Sequence, residues 1–176
     1  MATIKPFKAI RPAVDKVASV VSRSYQDYSK TELNSILKFN PFSFLHIINP
    51  GYKYSKRVSG TERFKLVHNR YLEFLEDNTF IKDAQESFYM YRITNKSKSY
   101  LGIFCGTSIE DYENDVIKRH EATLEQREKL FAEYLKTVTF NAEPVLMTYP
   151  DNEAVAEILK TETKKPSEYF FTTTDK

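Results

Sequence analysis

The chain has 176 residues, of which 41 % are hydrophobic and 14 % aromatic, a composition typical of a folded globular protein. Its four glycines form no glycine-rich loop, which excludes a Walker loop and a dinucleotide fingerprint. The single cysteine, Cys105, excludes an intrachain disulfide, and no apolar run reaches the roughly 20 residues that cross a bilayer, so we expect a cytoplasmic protein.

The net charge of +2 is distributed unevenly along the chain. Residues 1–80 hold 13 Lys and Arg against 7 Asp and Glu, a net +6, whereas residues 81–176 hold 13 against 17, a net −4. This split predicts a basic face that meets an anion, a nucleic acid or an acidic partner. A solvated surface of mixed charge is the alternative interpretation.

The first half of the chain predicts mainly helices. A short helix covers residues 15–22, and a capping box of Ser29 and Glu32 starts a second helix that ends at Asn40. The apolar run 42–48 predicts a buried strand. After a basic loop at residues 52–57, a third helix starts at Ser59. Its predicted apolar face is Phe64, Val67, Tyr71, Leu72 and Leu75.

The second half adds further strands and two helices. These predicted elements are strands at residues 88–94, 100–109, 143–149 and 167–174, with helices capped by Thr123 and Asp151. Together the elements predict a single mixed α/β (α+β) domain over residues 1–176. Its mixed, partly antiparallel sheet would be covered by about five helices. Because a strand-like run ends the sequence, we expect a truncated chain or a missing partner domain.

The helix after Thr123 follows the densest polar segment of the chain. Thr123 and Gln126 fit a capping box, and an apolar stripe follows at helical spacing. The stripe consists of Leu124, Leu130, Phe131, Tyr134, Leu135 and Val138. Cationic residues therefore gather at a predicted helix N-terminus, whose free N–H groups attract phosphate or carboxylate. They are Lys118, Arg119, His120 and Arg127.

A plainer interpretation of this segment stays open. In it, the negative charge of Glu121 interacts favourably with the helix dipole and Glu121 pairs with Arg127, while His120 is a packing residue. Asp111, in the turn before the segment, either orients His120 or positions a cation, or is an ordinary surface turn residue.

The sequence lacks the residue spacings of several common metal and nucleic-acid sites. His120 and Glu121 begin like the helix of a zinc protease, but the second histidine of that motif falls at Leu124. Three histidines and one cysteine assemble no standard zinc site, so we predict no metal site. His46 and His68 lie in strongly apolar segments and are interpreted as structural. No nucleic-acid motif accompanies the aromatic and basic residues 51–57, so the sequence disfavours a nucleic-acid partner.

Several motifs, in order along nearly the whole chain, match one family. They are Ile4-Lys5-Pro6-Phe7-Lys8-Ala9-Ile10-Arg11-Pro12, Asn40-Pro41-Phe42-Ser43-Phe44-Leu45-His46, Phe88-Tyr89-Met90-Tyr91-Arg92, Gly102, Asp111-Tyr112, Ile117-Lys118-Arg119-His120-Glu121-Ala122-Thr123, Arg127 and Glu143-Pro144-Val145-Leu146. With these motifs the chain resembles the bacterial and archaeal family called domain of unknown function 1015. It departs from the family at residues 23–27, where the family shows Pro-Pro-Tyr-Asp, which weakens a ligand role for this loop.

The resemblance carries its own expectations. Members of the family are roughly twice as long as this chain, a length typical of two ordinary domains. Their second half carries a Gly-His-His-Arg motif that resembles the active-site loop of the ParB/sulfiredoxin-like group, which includes free-serine kinases. The resemblance therefore implies that this chain is the amino-terminal half and lacks part of any shared site.

These expectations predict part of a small-molecule phosphotransferase, similar to an amino-acid kinase. Arg11, Lys118, Thr123 and Arg127 would bind phosphate or carboxylate, and His120 or Glu121 would supply acid–base catalysis. The cofactor is not identified by the residues; the full-length protein is compatible with a nucleotide and Mg²⁺.

The expected partners are a small-molecule or nucleotide ligand and the C-terminal half of the same protein, and an oligomer is compatible with the sequence. The alternative function is a non-catalytic binding module that contacts nucleic acid or an acidic protein partner.

Overall fold

The computed structural model describes residues 2–54 and 59–172. The helices in this part of the chain are α1 (Val17–Val20), α2 (Lys30–Phe39), α3 (Leu45–Ile48), α4 (Pro50–Tyr54), α5 (Gly60–Glu76), α6 (Ile109–Glu113), α7 (Glu125–Val138) and α8 (Glu153–Glu162), with a 3-10 helix at Tyr25–Asp27. The strands are β1 (Ile4–Lys5), β2 (Ile10–Pro12), β3 (Phe80–Lys82), β4 (Tyr89–Asn95), β5 (Lys98–Phe104) and β6 (Gly106–Thr107).

The strands pair two by two, β1 with β6, β2 with β3, and β4 with β5. The β1–β6 and β4–β5 pairs are antiparallel. The predicted mixed α/β class is confirmed. The strands of the described chain form three small sheets rather than the one sheet that was predicted, and the predicted strands at residues 42–48 and 143–149 are not strands.

The chain divides into two compact units. The first unit comprises Met1–Ile10, Lys82–Thr123 and Ala142–Ser167. The second comprises Arg11–Ile81, Leu124–Asn141 and Glu168–Lys176. The single domain expected from the sequence stays a prediction.

The second unit contains the hydrophobic core, which is built around α5. The core side chains are Val20, Ile47, Phe64, Val67, Tyr71, Phe74, Phe80 and Val138. The α5 members recur three or four residues apart, so they share one helix face. The predicted face was wrong at Leu72, which is exposed, and it omitted Phe74, which is buried. Burial also raises the pKa of the Tyr71 phenol, so its hydroxyl keeps its proton.

Local hydrogen bonds define the start and the end of α2. The Ser29 hydroxyl accepts the amide of Glu32 at 3.2 Å, and the Glu32 carboxylate accepts the amide of Ser29 at 2.9 Å. This reciprocal pair is the predicted capping box, which is confirmed. The helix ends at Phe39, and Asn40 is its C-terminal cap before Pro41, as predicted.

Residues 42–48 were predicted as a strand, and that prediction was wrong. They contain α3, in which the Phe44 carbonyl accepts the amide of Ile47 at 2.9 Å. Leu45 and Ile47 are fully buried but Phe42 is exposed, so the predicted burial is correct only within the segment and not at its start. A short apolar run that is buried on all sides has no periodicity to separate a helix from a strand. The chain then enters α4 with Pro50 at its first position, which proline favours.

Three further predicted elements differ from the structure. The loop predicted at residues 52–57 begins inside α4, and its last three residues lie outside the described residues. Residues 143–149 and 167–172 form no strand in the described chain, and residues 173 and 174 lie outside it. Strand-like composition provides no hydrogen-bonding partner, and Leu146 is 93 % exposed. The cap of α8 is Asn152, which accepts the amide of Val155 at 3.1 Å, instead of Asp151.

The first unit is organised around the predicted hairpin, which is confirmed. Its register runs from Tyr89 opposite Phe104 to Asn95 opposite Lys98. The Tyr89 hydroxyl lies 2.6 Å from a carboxylate oxygen of Asp83 and accepts the amide of Ala9 at 2.9 Å. None of the described residues of this unit is buried. The apolar side chains of this unit are therefore exposed or half-buried in the described chain.

The apolar stripe of α7, predicted to face a core, does so only near its C-terminal end. Val138 is fully buried, and the Tyr134 ring packs edge-on against Phe64 with centroids 5.1 Å apart. Leu124 and Phe131, nearer the N-terminal end, are exposed. Within the described chain, no helix has both the length and the apolar composition that crossing a membrane requires.

Candidate functional site

The polar segment 114–124 leaves α6 through a tight turn around Asp111. The backbone carbonyl of Asp111 accepts the amides of Val116 and Ile117, each at 2.9 Å, and Asp115 adopts a positive φ of 58°. The Asp111 carboxylate accepts the amide of Thr3 at 2.6 Å. Asp111 therefore holds the turn beside the start of β1, within the first unit.

Two cations of this segment have partners close by in sequence. The Lys118 ammonium lies 2.5 Å from the Asp115 carboxylate, and both side chains are exposed. This hydrogen bond and charge lower the pKa of the Asp115 carboxyl, and the Arg119 charge adds to the effect. The Arg119 guanidinium lies 4.6 Å from the centroid of the Tyr112 ring, within cation–π distance.

The remaining predicted residues of the segment are open to solvent. His120, Glu121 and Thr123 are exposed and lie between α6 and α7, outside any helix or strand. Such a position makes their side chains accessible to a ligand. The catalytic roles predicted for His120 and Glu121, and the phosphate-binding role of Thr123, stay predictions.

The start of α7 differs from the predicted capping box. The helix begins at Glu125 with Leu124, not Thr123, as its cap residue. The Leu124 carbonyl accepts the amides of Arg127 at 2.8 Å and Glu128 at 3.1 Å. The predicted start of the helix was therefore correct to within one residue. The predicted side-chain cap was wrong, because leucine has no side-chain atom that could accept a hydrogen bond from the first turn. Arg127 is exposed in the first turn.

Arg11, also predicted to bind phosphate, has partners near the other end of the chain. Its guanidinium lies 2.8 Å from the Glu168 carboxylate and donates to the Tyr169 hydroxyl at 3.0 Å. The same group lies 5.3 Å from the centroid of the Tyr169 ring. The Tyr169 hydroxyl in turn donates to the carbonyl of Pro12 at 2.5 Å. These contacts all lie in the second unit.

The six predicted site residues are therefore divided between the units. Lys118, His120, Glu121 and Thr123 belong to the first unit, and Arg11 and Arg127 to the second. Within the part of the chain that the structure describes, no group of three or more His, Cys, Asp or Glu side chains is placed to hold a metal ion.

Comparison with known proteins places the chain in a family. The family described as protein of unknown function (DUF1015) matches residues 4–176. The chain belongs to this DUF1015 family. The resemblance drawn from the motifs is thereby confirmed. No curated protein and no solved structure matches the chain.

One DUF1015 motif, residues 40–46, has a structural role in this chain. The Asn40 amide group donates to the carbonyl of Ser19 at 2.7 Å, and its oxygen accepts the amide of Phe42 at 3.2 Å. The Ser43 hydroxyl accepts the amide of Leu45 at 3.3 Å. These bonds satisfy backbone polar groups of Ser19, Phe42 and Leu45, which explains the polar residues of an otherwise apolar motif.

The last residue of that motif, His46, is almost fully buried. Its Nε2 lies 3.1 Å from the carbonyl of Asn40, and its ring packs edge-on against Tyr52. Burial lowers the pKa of His46, the positive charge of Arg70 lowers it further, and nearby backbone carbonyls oppose the shift. The neutral imidazole is therefore the form that fits the folded chain.

We expect acid to destabilise this DUF1015 chain through His46. Because its folded pKa lies below its unfolded pKa of about 6.5, its contribution to stability is complete above about pH 6.5 and is lost as the pH falls toward the folded pKa. Because His46 binds only one proton, the free energy of unfolding can change by at most about 1.4 kcal/mol per pH unit through this residue. Urea unfolding between about pH 6.5 and pH 5 measures it.

The control uses a second histidine. His46→Gln should flatten the pH dependence, whereas His120→Gln, at an exposed position, should leave it unchanged. An unchanged slope in His46→Gln would contradict the assignment.

His68 also has a structural role. Its Nδ1 lies 3.0 Å from the carbonyl of Val138 and 3.1 Å from the hydroxyl of Thr139. A carbonyl only accepts, so Nδ1 carries the proton. His68 thus ties α5 to the end of α7, where Thr139 adopts a left-handed φ of 65°. The structural interpretation of both histidines came from their apolar sequence context, whereas their partners required the folded chain.

Proposed function

We propose that the chain binds phosphate or carboxylate groups as the amino-terminal part of a small-molecule phosphotransferase. The ligand-binding groups are Lys118 and Thr123 in the first unit and, separately, Arg11 and Arg127 in the second unit. His120 or Glu121 accepts the proton that the acceptor hydroxyl loses when a phosphoryl group is transferred to it. The phosphoryl donor of the full-length protein is a nucleotide with Mg²⁺.

One observation supports this proposal more than any other. Two of the cations that we assign to ligand binding each contact a carboxylate oxygen, Lys118 at 2.5 Å from Asp115 and Arg11 at 2.8 Å from Glu168. Both contacts are charge-assisted bonds, and a phosphate oxygen can replace a carboxylate oxygen in them. The internal carboxylates therefore occupy the positions that we assign to the ligand.

Binding of inorganic phosphate to the whole chain tests the proposal. If Asp115 competes with the ligand, Asp115→Asn should tighten phosphate binding and Lys118→Gln should weaken it, each by about two- to tenfold for an exposed charge-assisted bond. Isothermal titration calorimetry measures both effects. The matched control is Lys160→Gln, since Lys160 is an exposed lysine of the first unit that also pairs three residues away, with Glu157.

Titration of the full-length protein with Mg²⁺ and ATP tests the phosphoryl donor. In that protein His120→Gln should reduce phosphoryl transfer to a hydroxyl-bearing acceptor. Equal phosphate affinity in Asp115→Asn, Lys118→Gln and the unmodified chain would refute the binding site. Phosphate binding that depends on Lys118, combined with no affinity of the full-length protein for ATP, would refute the phosphotransferase and leave an anion-binding module.

The alternative function is a non-catalytic module that contacts nucleic acid or an acidic protein. The net charge of +6 on residues 1–80 favours it. Binding to a polyanion would weaken steeply as salt rises, and absence of binding at low salt would eliminate this alternative.

A further inference from the structure

The hairpin β4–β5 presents one strongly aromatic face. Alternate residues of a strand point to the same side, and the register places Tyr91 opposite Gly102 and Ile93 opposite Tyr100. Tyr89 and Phe104, paired one step further along, share this side. We call these six residues the aromatic face.

Two rings of the aromatic face are open to solvent. Tyr91 is 48 % exposed and Tyr100 61 % exposed. They are diagonal neighbours across the strand pair, a relation that separates Cβ atoms by about 7–8 Å. The Tyr91 ring meets Phe104 nearly edge-on, with centroids 5.5 Å apart and planes at 63°. Phe104 therefore supports Tyr91 from one side.

Gly102 leaves open space at the centre of the aromatic face. A Cβ atom built on Gly102 meets no atom within 4 Å. The space lies beside Tyr91, because the two residues face each other in the register. A flat group has room to lie against the rings at this point.

The hairpin is also uniformly basic. Residues 88–104 contain Arg92, Lys96 and Lys98 and no Asp or Glu. Lys98 is paired with Asn95 on the same side of the sheet as the aromatic face, and Lys96 occupies the turn with a φ of 53°. Arg92 lies on the opposite side. Cations thus adjoin the aromatic face at the turn end of the hairpin.

We propose that the aromatic face binds single-stranded nucleic acid. Unpaired bases stack on Tyr91 and Tyr100, and Lys96 and Lys98 neutralise the phosphates that run past the turn. Exposed aromatic rings beside cations are the combination by which proteins bind single strands without sequence preference. This surface is independent of the phosphate-binding segment, so either proposal can fail alone.

Charge and ring chemistry distinguish this occupant from others. A second copy of the hairpin, docked on this face, would bring Lys96 and Lys98 against the same two cations, which is unfavourable. An acidic peptide would match the charge but would offer no flat π surface for the tyrosine rings. A duplex keeps its bases stacked on one another, so its bases are unavailable to the aromatic face. A single strand satisfies both features.

Fluorescence anisotropy with a labelled oligothymidylate and the whole chain tests the proposal. Tyr91→Ala and Tyr100→Ala should each weaken binding by about five- to 150-fold, because a base loses its stacking partner. Lys98→Gln should reduce the slope of log affinity against log salt by about 0.7. A duplex of the same sequence should bind more weakly than the single strand.

Gly102→Val provides a second, independent variant. It adds a side chain where the structure has open space and removes no contact, and valine favours a strand. It should weaken oligothymidylate binding by obstructing the aromatic face while leaving the unfolding transition unchanged. The test therefore holds even if a tyrosine variant unfolds.

Matched controls come from the second unit. Tyr25 has the same exposure as Tyr91, 48 %, so Tyr25→Ala should leave the affinity unchanged. The exposed Lys65 of α5 serves in the same way for Lys98, through Lys65→Gln.

Four results would overturn the proposal. The first is that oligothymidylate does not bind at low salt, and the second is that the control variants lose as much affinity as the hairpin variants. The third is that polyglutamate binds with the same dependence on Tyr91 and Tyr100. The fourth is that the free protein is a dimer and that a tyrosine variant dissociates it. The third would assign the surface to an acidic peptide and the fourth to a second copy.

Discussion

Replacing Phe80 by alanine should lower the free energy of unfolding by about 3–5 kcal/mol, the usual result when a buried phenylalanine is truncated. Phe80 lies in β3 and is nearly buried. Its ring centroid is 5.5 Å from that of Phe74, 6.4 Å from that of Tyr71 and 6.5 Å from that of Phe44. Truncation therefore removes the ring that these three side chains share. Urea unfolding of the second unit, followed by circular dichroism, measures the change.

The matched control for Phe80 is Phe170→Ala. Phe170 is 85 % exposed, so its truncation should change the free energy of unfolding by no more than about 0.5 kcal/mol. Equal effects of the two substitutions would show that Phe80 does not belong to the core.

Replacing Ile47 by alanine should lower the free energy of unfolding by about 2–5 kcal/mol. Ile47 is fully buried in α3 and belongs to the same core as Phe80. The missing atoms leave a cavity that helices α3 and α5 can close only partly, and the cost rises with the volume that remains. Thermal and urea unfolding both report the loss.

Graded substitution makes the Ile47 prediction sharper. Ile47→Val, which removes one methylene group, should cost only about 0.5–1.5 kcal/mol. Ile109→Ala, at a position that is 74 % exposed in α6, should cost less than about 0.5 kcal/mol. A flat series, with Val and Ala equal to the unmodified chain, would contradict the burial of Ile47.

The contrast between residues 42–48 and α2 shows where sequence reasoning was sufficient. In α2, Ser29 and Glu32 lie three residues apart and bond to each other, so the pattern contained the whole interaction. In residues 42–48, the apolar pattern predicted burial but not the conformation. The other members of the core that contains Ile47 lie on α1, α5, β3 and α7, far away in sequence.

The candidate site follows the same division. The polar segment 114–124 is continuous in sequence, and Lys118 and Asp115, which form an ion pair, are only three residues apart within it. The concentration of charged residues there was therefore visible in the sequence. The partners of Arg11 were not, because Glu168 and Tyr169 are more than 150 residues away, with a separation of 158 for the tyrosine. The residues around Arg11 in the sequence do not indicate that its partner is the carboxylate of Glu168.

By itself the sequence determined the family, the mixed α/β class, the capping box of α2 and the β4–β5 hairpin. Each of these depends on residues that are neighbours along the chain or on motifs in a recognisable order. Only the tertiary structure decided that α7 buries Val138 while Phe131 stays exposed, and that residues 143–149 have no strand partner in the described chain. Burial and strand pairing need a second surface, and a segment's own residues do not specify which distant surface folds against it.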